Sequence, residues 1–163
     1  MRKIFSLQYA GSVALGLNDA LVEITGVLAG MTLAFGDTQT VLIAGLVTGL
    51  AASLSMAASE FLETKQDAQE GSPKNPIISS AYTGTAYLLA TLALISPYMF
   101  NIEALTALAI TITIGILIIA AYTKYVSSER KQSWRKQFFQ MALISLGVTA
   151  ISFLVGHLIN INF

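Results

Sequence analysis

Five apolar stretches, each about twenty residues or longer, leave this chain one environment in which to fold. A run of that length is what an α-helix needs to cross a roughly 30 Å hydrocarbon core. The stretches run from Leu7 to Phe35, Thr40 to Leu62, Ile77 to Met99, Ala104 to Val126 and Phe138 to Ile159. Only 11% of the 163 residues are charged, whereas an ordinary soluble domain carries about 25%. Met1, Arg2 and Lys3 look like the charged start of a signal peptide, but the apolar run that follows is longer than a cleavable one and holds two acids. It is therefore read as a retained helix. The expectation is an all-α membrane protein of five transmembrane helices in one domain, residues 1–163, with no internal repeat and with Glu63 to Pro76 as its only linker.

The nine basic residues orient these spans. Arg2 and Lys3 precede the first, Lys65 and Lys74 follow the second, and Lys124, Arg130, Lys131, Arg135 and Lys136 lie around the connection between the fourth and fifth. All nine fall on one side, which the positive-inside rule assigns to the cytoplasm, with the N-terminus inside and the C-terminus outside. The connections through Gly36 to Gln39 and around Pro97 and Asn101 are short, so the spans they join should pack as antiparallel neighbours. Nine acids balance the nine bases, so the basic footprint of a nucleic-acid partner is missing. With no cysteine and a single histidine, His157, thiolate metal sites and di-iron Glu-x-x-His pairs are excluded, and no nucleophilic triad or phosphate loop is present. His157 by itself reads as an interfacial or packing residue. The chain is not expected to be an enzyme or to carry a catalytic cofactor.

Three acids lie inside the spans, and an acid at the centre of a membrane helix costs about 2.5–3.5 kcal/mol. Asp19 and Glu23 share a face of the first span at i, i+4, and Met56 and Glu60 share a face of the second. Counted from the cytoplasmic side, Glu60 stands near the inner boundary within reach of water, Met56 further in, Asp19 near the middle and Glu23 in the outer half. No Lys, Arg or His in the first four spans stands at a depth to pair with them. Such a ladder of carboxylates with one thioether suits a partly dehydrated divalent cation, the sulfur favouring a transition metal over calcium or magnesium. The bland reading is a protonated pair hydrogen-bonded between helices.

Below Glu60 the series continues through Glu63, Asp67 and Glu70, which a continuing helix would align either as an acidic funnel at the cytoplasmic mouth or as a solvated helix end. Gly16, Asn18, Thr25 and Gly26 surround the acids of the first span and suggest a local distortion that exposes backbone carbonyls. Gly26 and Gly30, and Gly45, Gly49 and Ser53, repeat every four residues, a small-residue pattern for close helix packing within one chain or between two. Five spans cannot divide into two equal inverted halves, so a symmetric path would need a second copy.

The stretches GLNDALVEITGVLAG, Gly16 to Gly30, and AASLSMAASEFLETK, Ala51 to Lys65, resemble the vacuolar iron transporter family. The resemblance covers about a fifth of the chain. It implies a homodimer in the cell membrane whose first two spans line a path at the subunit interface and export Fe2+ or Mn2+ from the cytosol in exchange for protons. It places Asp19 and Met56 at metal positions of the pore and Glu60 at the glutamate below that methionine, and carries Glu23 with them. The chain departs from the family where Ala20 follows the pore aspartate in place of glycine, and where only Glu63 to Pro76 stands in for the acidic, methionine-rich domain of many eukaryotic members. Two other functions fit the residues themselves: a membrane-embedded metal-binding or assembly protein that moves nothing, and a cation channel.

Overall fold

The computed structural model describes residues 8–100, 102–130 and 133–162, and the side chains of Glu129, Arg130 and Asn162 are left aside. Arg2, Lys3, Leu7, Asn101 and Lys131 lie outside the described residues. Among the described residues five α-helices follow one another: α1 (Ala10–Phe35), α2 (Thr38–Gln69), α3 (Pro76–Ile95), α4 (Ala104–Arg130) and α5 (Trp134–Asn162), with a short 3-10 turn, Ser96–Met99, after α3. All five are long and apolar enough to span a membrane.

Local chemistry sets the helix ends. The Asp37 carboxylate accepts from the Thr40 amide at 2.8 Å and caps α2. Asn75 does the same for α3 through Ile77 and Ile78, with Pro76 in the first turn, where its missing N–H costs nothing. Gly36 and Gly71 end α1 and the segment after α2 at φ of +67° and +97°, the left-handed region that glycine enters without a Cβ clash.

The helices run up and down. At one end Gln8 donates to the Pro73 carbonyl and the Asn75 amide donates to the Tyr9 hydroxyl. At the other, Thr38 donates to the Ile102 carbonyl and Asn160 to the Ala34 carbonyl. The first and last described residues therefore lie at opposite ends of the bundle. Helix α1 is its centre and packs against the other four. Leu21, Ile24 and Leu28 of α1 are fully buried with Tyr87 and Leu94 of α3 and Ile119 of α4. The outer surface carries the large apolar side chains, such as Val47, Leu54, Leu89, Leu117 and Leu143, each more than 60% exposed, while hydroxyls are buried inside. That distribution suits lipid outside and interhelical hydrogen bonds within.

Two expectations change, and a point that the sequence left open is narrowed. The apolar run ending at Leu62 is shorter than α2, which continues to Gln69, so the linker shrinks to the residues after it. No distortion marks Asp19: α1 is a continuous α-helix, and Thr25 donates its hydroxyl back to the Leu21 carbonyl within the helix. Gly16 serves close approach instead, because a Cβ there would stand 2.1 Å from the Thr83 carbonyl oxygen of α3. The small-residue repeats are used within the chain: Gly26 and Gly30 face Ser152 of α5, and Gly45 and Gly49 face Leu28, Ile95 and Thr91.

Candidate functional site

The candidate residues separate into two layers along the bundle. Lower down, at the end shared with Gln8, Glu60 of α2 is buried at 6% exposure, which corrects the expectation that it reaches water. Its placement follows from the helix that carries it: Ser53, Glu60 and Thr64 lie on the buried stripe of α2 that faces α1 and α3. Ser12 of α1 donates to Glu60 Oε1 at 2.7 Å, Ser79 of α3 donates to the same oxygen, and Thr64 approaches it at 3.4 Å. Ser12 and Ser79 are themselves 2.7 Å apart. Three helices thus meet on one carboxylate oxygen, and hydroxyl donors replace the water that a surface glutamate would have.

The upper layer holds Asp19 and Glu23. Glu23 is eleven positions beyond Ser12 on α1, about 16 Å at the helical rise. Its side chain is exposed on the single chain, and its Oε2 accepts a hydrogen bond of 2.7 Å from the hydroxyl of Tyr87 on α3. Asp19, one turn below, is half-buried, and among the described residues no side chain donates a hydrogen bond to it. Met56, one turn from Glu60 on α2, is half-buried against the hydrophobic core. Along the bundle Glu60 thus lies lowest, drawn into its own hydroxyl cluster, with Met56 one turn above it on α2 and Asp19 and Glu23 higher on α1.

Glu63 and Asp67 lie on the last turns of α2 and Glu70 at its C-terminal cap, all three exposed. Among the described residues no three acidic, imidazole or thiol groups converge on one point. A single chain thus presents the Asp19 and Glu23 pair and the Met56 thioether as separate donors, not as a closed cage. His157 is exposed near the end of α5.

Sequence reasoning missed Ser12, Ser79 and Tyr87. A signal for the last two was available, because Ser79, Thr83, Tyr87 and Thr91 repeat every four residues, and all four are buried along one face of α3. Thr83 donates to the Ser12 carbonyl, and the buried Thr91 hydroxyl has no hydrogen-bond partner among the described residues.

No curated protein matches the chain. The match that is found falls on the two helices that carry every candidate metal residue. Residues 11–72 fit the model of the VIT family, and this match, on a bundle of membrane-length helices with acids inside its spans, agrees with the resemblance to the vacuolar iron transporter family, whose members are transporters.

Proposed function

We propose that the chain is a proton-coupled secondary transporter that exports Fe2+, with Mn2+ as a second cargo, and works as a homodimer in the cell membrane with its N-terminus in the cytoplasm. The observation that carries this reading is the acid pair Asp19 and Glu23, one turn apart within an apolar helix, in the segment that fits the family model. An exposed carboxylate at this depth is costly against hydrocarbon, and facing it with a second copy across a wet path removes that cost. The same second copy would double a donor set that one chain leaves incomplete for a divalent ion. The orientation rests on the grouping of basic residues: Lys65 and Lys74 flank the α2 to α3 connection, and Lys124, Arg135 and Lys136 flank the α4 to α5 connection at the same end.

In this mechanism Glu63, Asp67 and Glu70 gather the ion at the cytoplasmic mouth. Met56 and Asp19 hold it partly dehydrated, the thioether selecting against calcium and magnesium. Protons arriving from outside onto Asp19 or Glu23 neutralise the ligands and release the metal, which couples export to the proton gradient. Glu60 joins the path only when it exchanges a serine hydroxyl for the ion, so its cluster is a point at which metal binding and helix arrangement compete.

Fe2+ flux into proteoliposomes, with and without an imposed pH gradient, tests the reading on the native chain and Asp19→Asn. The expected result is gradient-dependent flux that Asp19→Asn abolishes while the variant remains folded, since no hydrogen bond from a described side chain is lost. Normal transport by Asp19→Asn overturns the mechanism, gradient-independent flux points to a channel, and no flux from a folded native chain points to a protein that binds without transporting.

A further inference from the structure

The hydroxyl of Tyr87 is outside the segment that fits the family model, yet it is the group that touches the upper acid pair. Tyr87 is fully buried in α3, and its ring is held in the core with Leu94, Ile24 and Leu28. From there its O–H crosses to α1 and donates to Glu23 Oε2 at 2.7 Å. The glutamate is otherwise exposed, on a side chain with three rotatable bonds, and would lose rotamer freedom each time it bound an ion. The phenol, fixed by a packed ring with two torsions, removes much of that freedom beforehand. It also occupies one carboxylate oxygen and leaves Oε1 for a ligand.

We infer that Tyr87 is a positioning residue for metal, orienting the Glu23 carboxylate from α3 so that its second oxygen can act with Asp19 one turn away. The inference rests on the proposed transport of divalent metal at this acid pair. A second feature of α3 supports it. The same buried column supplies Ser79 to Glu60, so one helix carries the hydroxyl that fixes each of the two embedded glutamates. Partners of metal-binding carboxylates typically change affinity by about 10–100-fold when removed.

Tyr87→Phe deletes the hydroxyl and keeps the ring. Fe2+ flux and equilibrium Fe2+ binding are measured anaerobically on the full chain in lipid, for the native protein, Tyr87→Phe, Glu23→Gln and the double variant. The expected result is a rise of roughly tenfold or more in the half-saturating Fe2+ concentration for Tyr87→Phe, with the maximal rate little changed. In the Glu23→Gln background the tyrosine change adds nothing. Glu23→Asp, which keeps the charge but no longer reaches the Tyr87 hydroxyl, should reproduce the weakening, and where Tyr87→Phe fails to fold a native half-saturation in Glu23→Asp overturns the positioning role. An unchanged half-saturation in a transporting Tyr87→Phe, or an equal effect with and without Glu23, overturns the positioning role alone. A native chain that neither binds nor moves Fe2+ overturns the transport reading and this role with it.

Discussion

Glu60 shows how an acid can be retained inside an apolar helix without a cation beside it. Its Oε1 has Ser12 at 2.7 Å, with Ser79 on the same oxygen and Thr64 at 3.4 Å. Removing one donor from a buried acceptor costs about 1–2 kcal/mol. Ser12→Ala and Ser79→Ala should each lower the unfolding free energy in detergent by about that amount, the remaining serine covering part of the loss. The double variant should lose more than the sum, because only the long Thr64 contact is then left. Additive or negligible losses in denaturation would show that the serines do not share the load. These partners were hidden in the sequence for a physical reason. An acid in an apolar run stands out through its insertion cost, so Asp19, Glu23 and Glu60 are legible. Serine, threonine and tyrosine cross the membrane at little cost and carry no such mark. Spacing along one helix gives the face a residue occupies but not the neighbour that the face meets.

Helix ends are set by caps, whereas hydropathy marks only where the chain becomes polar, and the two disagree most in α2. Its 32 residues span about 48 Å, well beyond a roughly 30 Å hydrocarbon core. Glu63, Thr64, Lys65, Gln66 and Asp67 are polar but compatible with helix, and no glycine or proline intervenes before Gly71. The five spans were therefore legible in number and approximate place, while the continuation of α2 past Leu62 was not. At the other end of α2 the cap is titratable. The Thr40 hydroxyl, and after it the Thr40 amide, hydrogen-bond the Asp37 carboxylate and hold its pKa below the ordinary 3.8. Since the folded value is the lower one, the cap's contribution is present above the unfolded value and is lost as pH falls through the folded value. Amide exchange at Thr38 to Val41, corrected for its intrinsic rate, should accelerate on acidification in the native chain. It should not do so in Asp37→Asn, whose amide side chain caps without titrating. Equal acid sensitivity in the two would remove the carboxylate from the explanation.

In the whole molecule, α1 is enclosed by the other helices, and the place where it meets α5 decides between the two uses of small residues that the sequence left open. A Cβ on Gly156 would stand 2.2 Å from the Gly30 carbonyl oxygen, and one on Gly30 would stand 3.2 Å from the Ser152 carbonyl. These are backbone atoms on both sides, so no rotamer change can relieve the clash, and the helices must separate. Separation also strains two hydrogen bonds of the same interface: Ser145 to the Leu21 carbonyl, and Thr149 to the Thr25 hydroxyl, each 3.0 Å. In a membrane no hydrophobic effect drives these helices back together, because lipid satisfies their apolar surface equally well, so close packing and hydrogen bonds carry the association. Gly156→Val should therefore lower the thermal stability of the detergent-solubilised chain severely, and Gly147→Val, on the same helix with nothing within 4 Å of its added Cβ, should not. Where the folded fraction of Gly156→Val can be isolated, its mass by light scattering should equal that of the native protein, since the glycine is consumed inside one chain. A variant of normal stability but altered mass would instead assign this glycine stripe to the contact between copies, and the proposed dimer would then have to be built on α1 and α5 rather than on the acid-bearing face of α1 and α2.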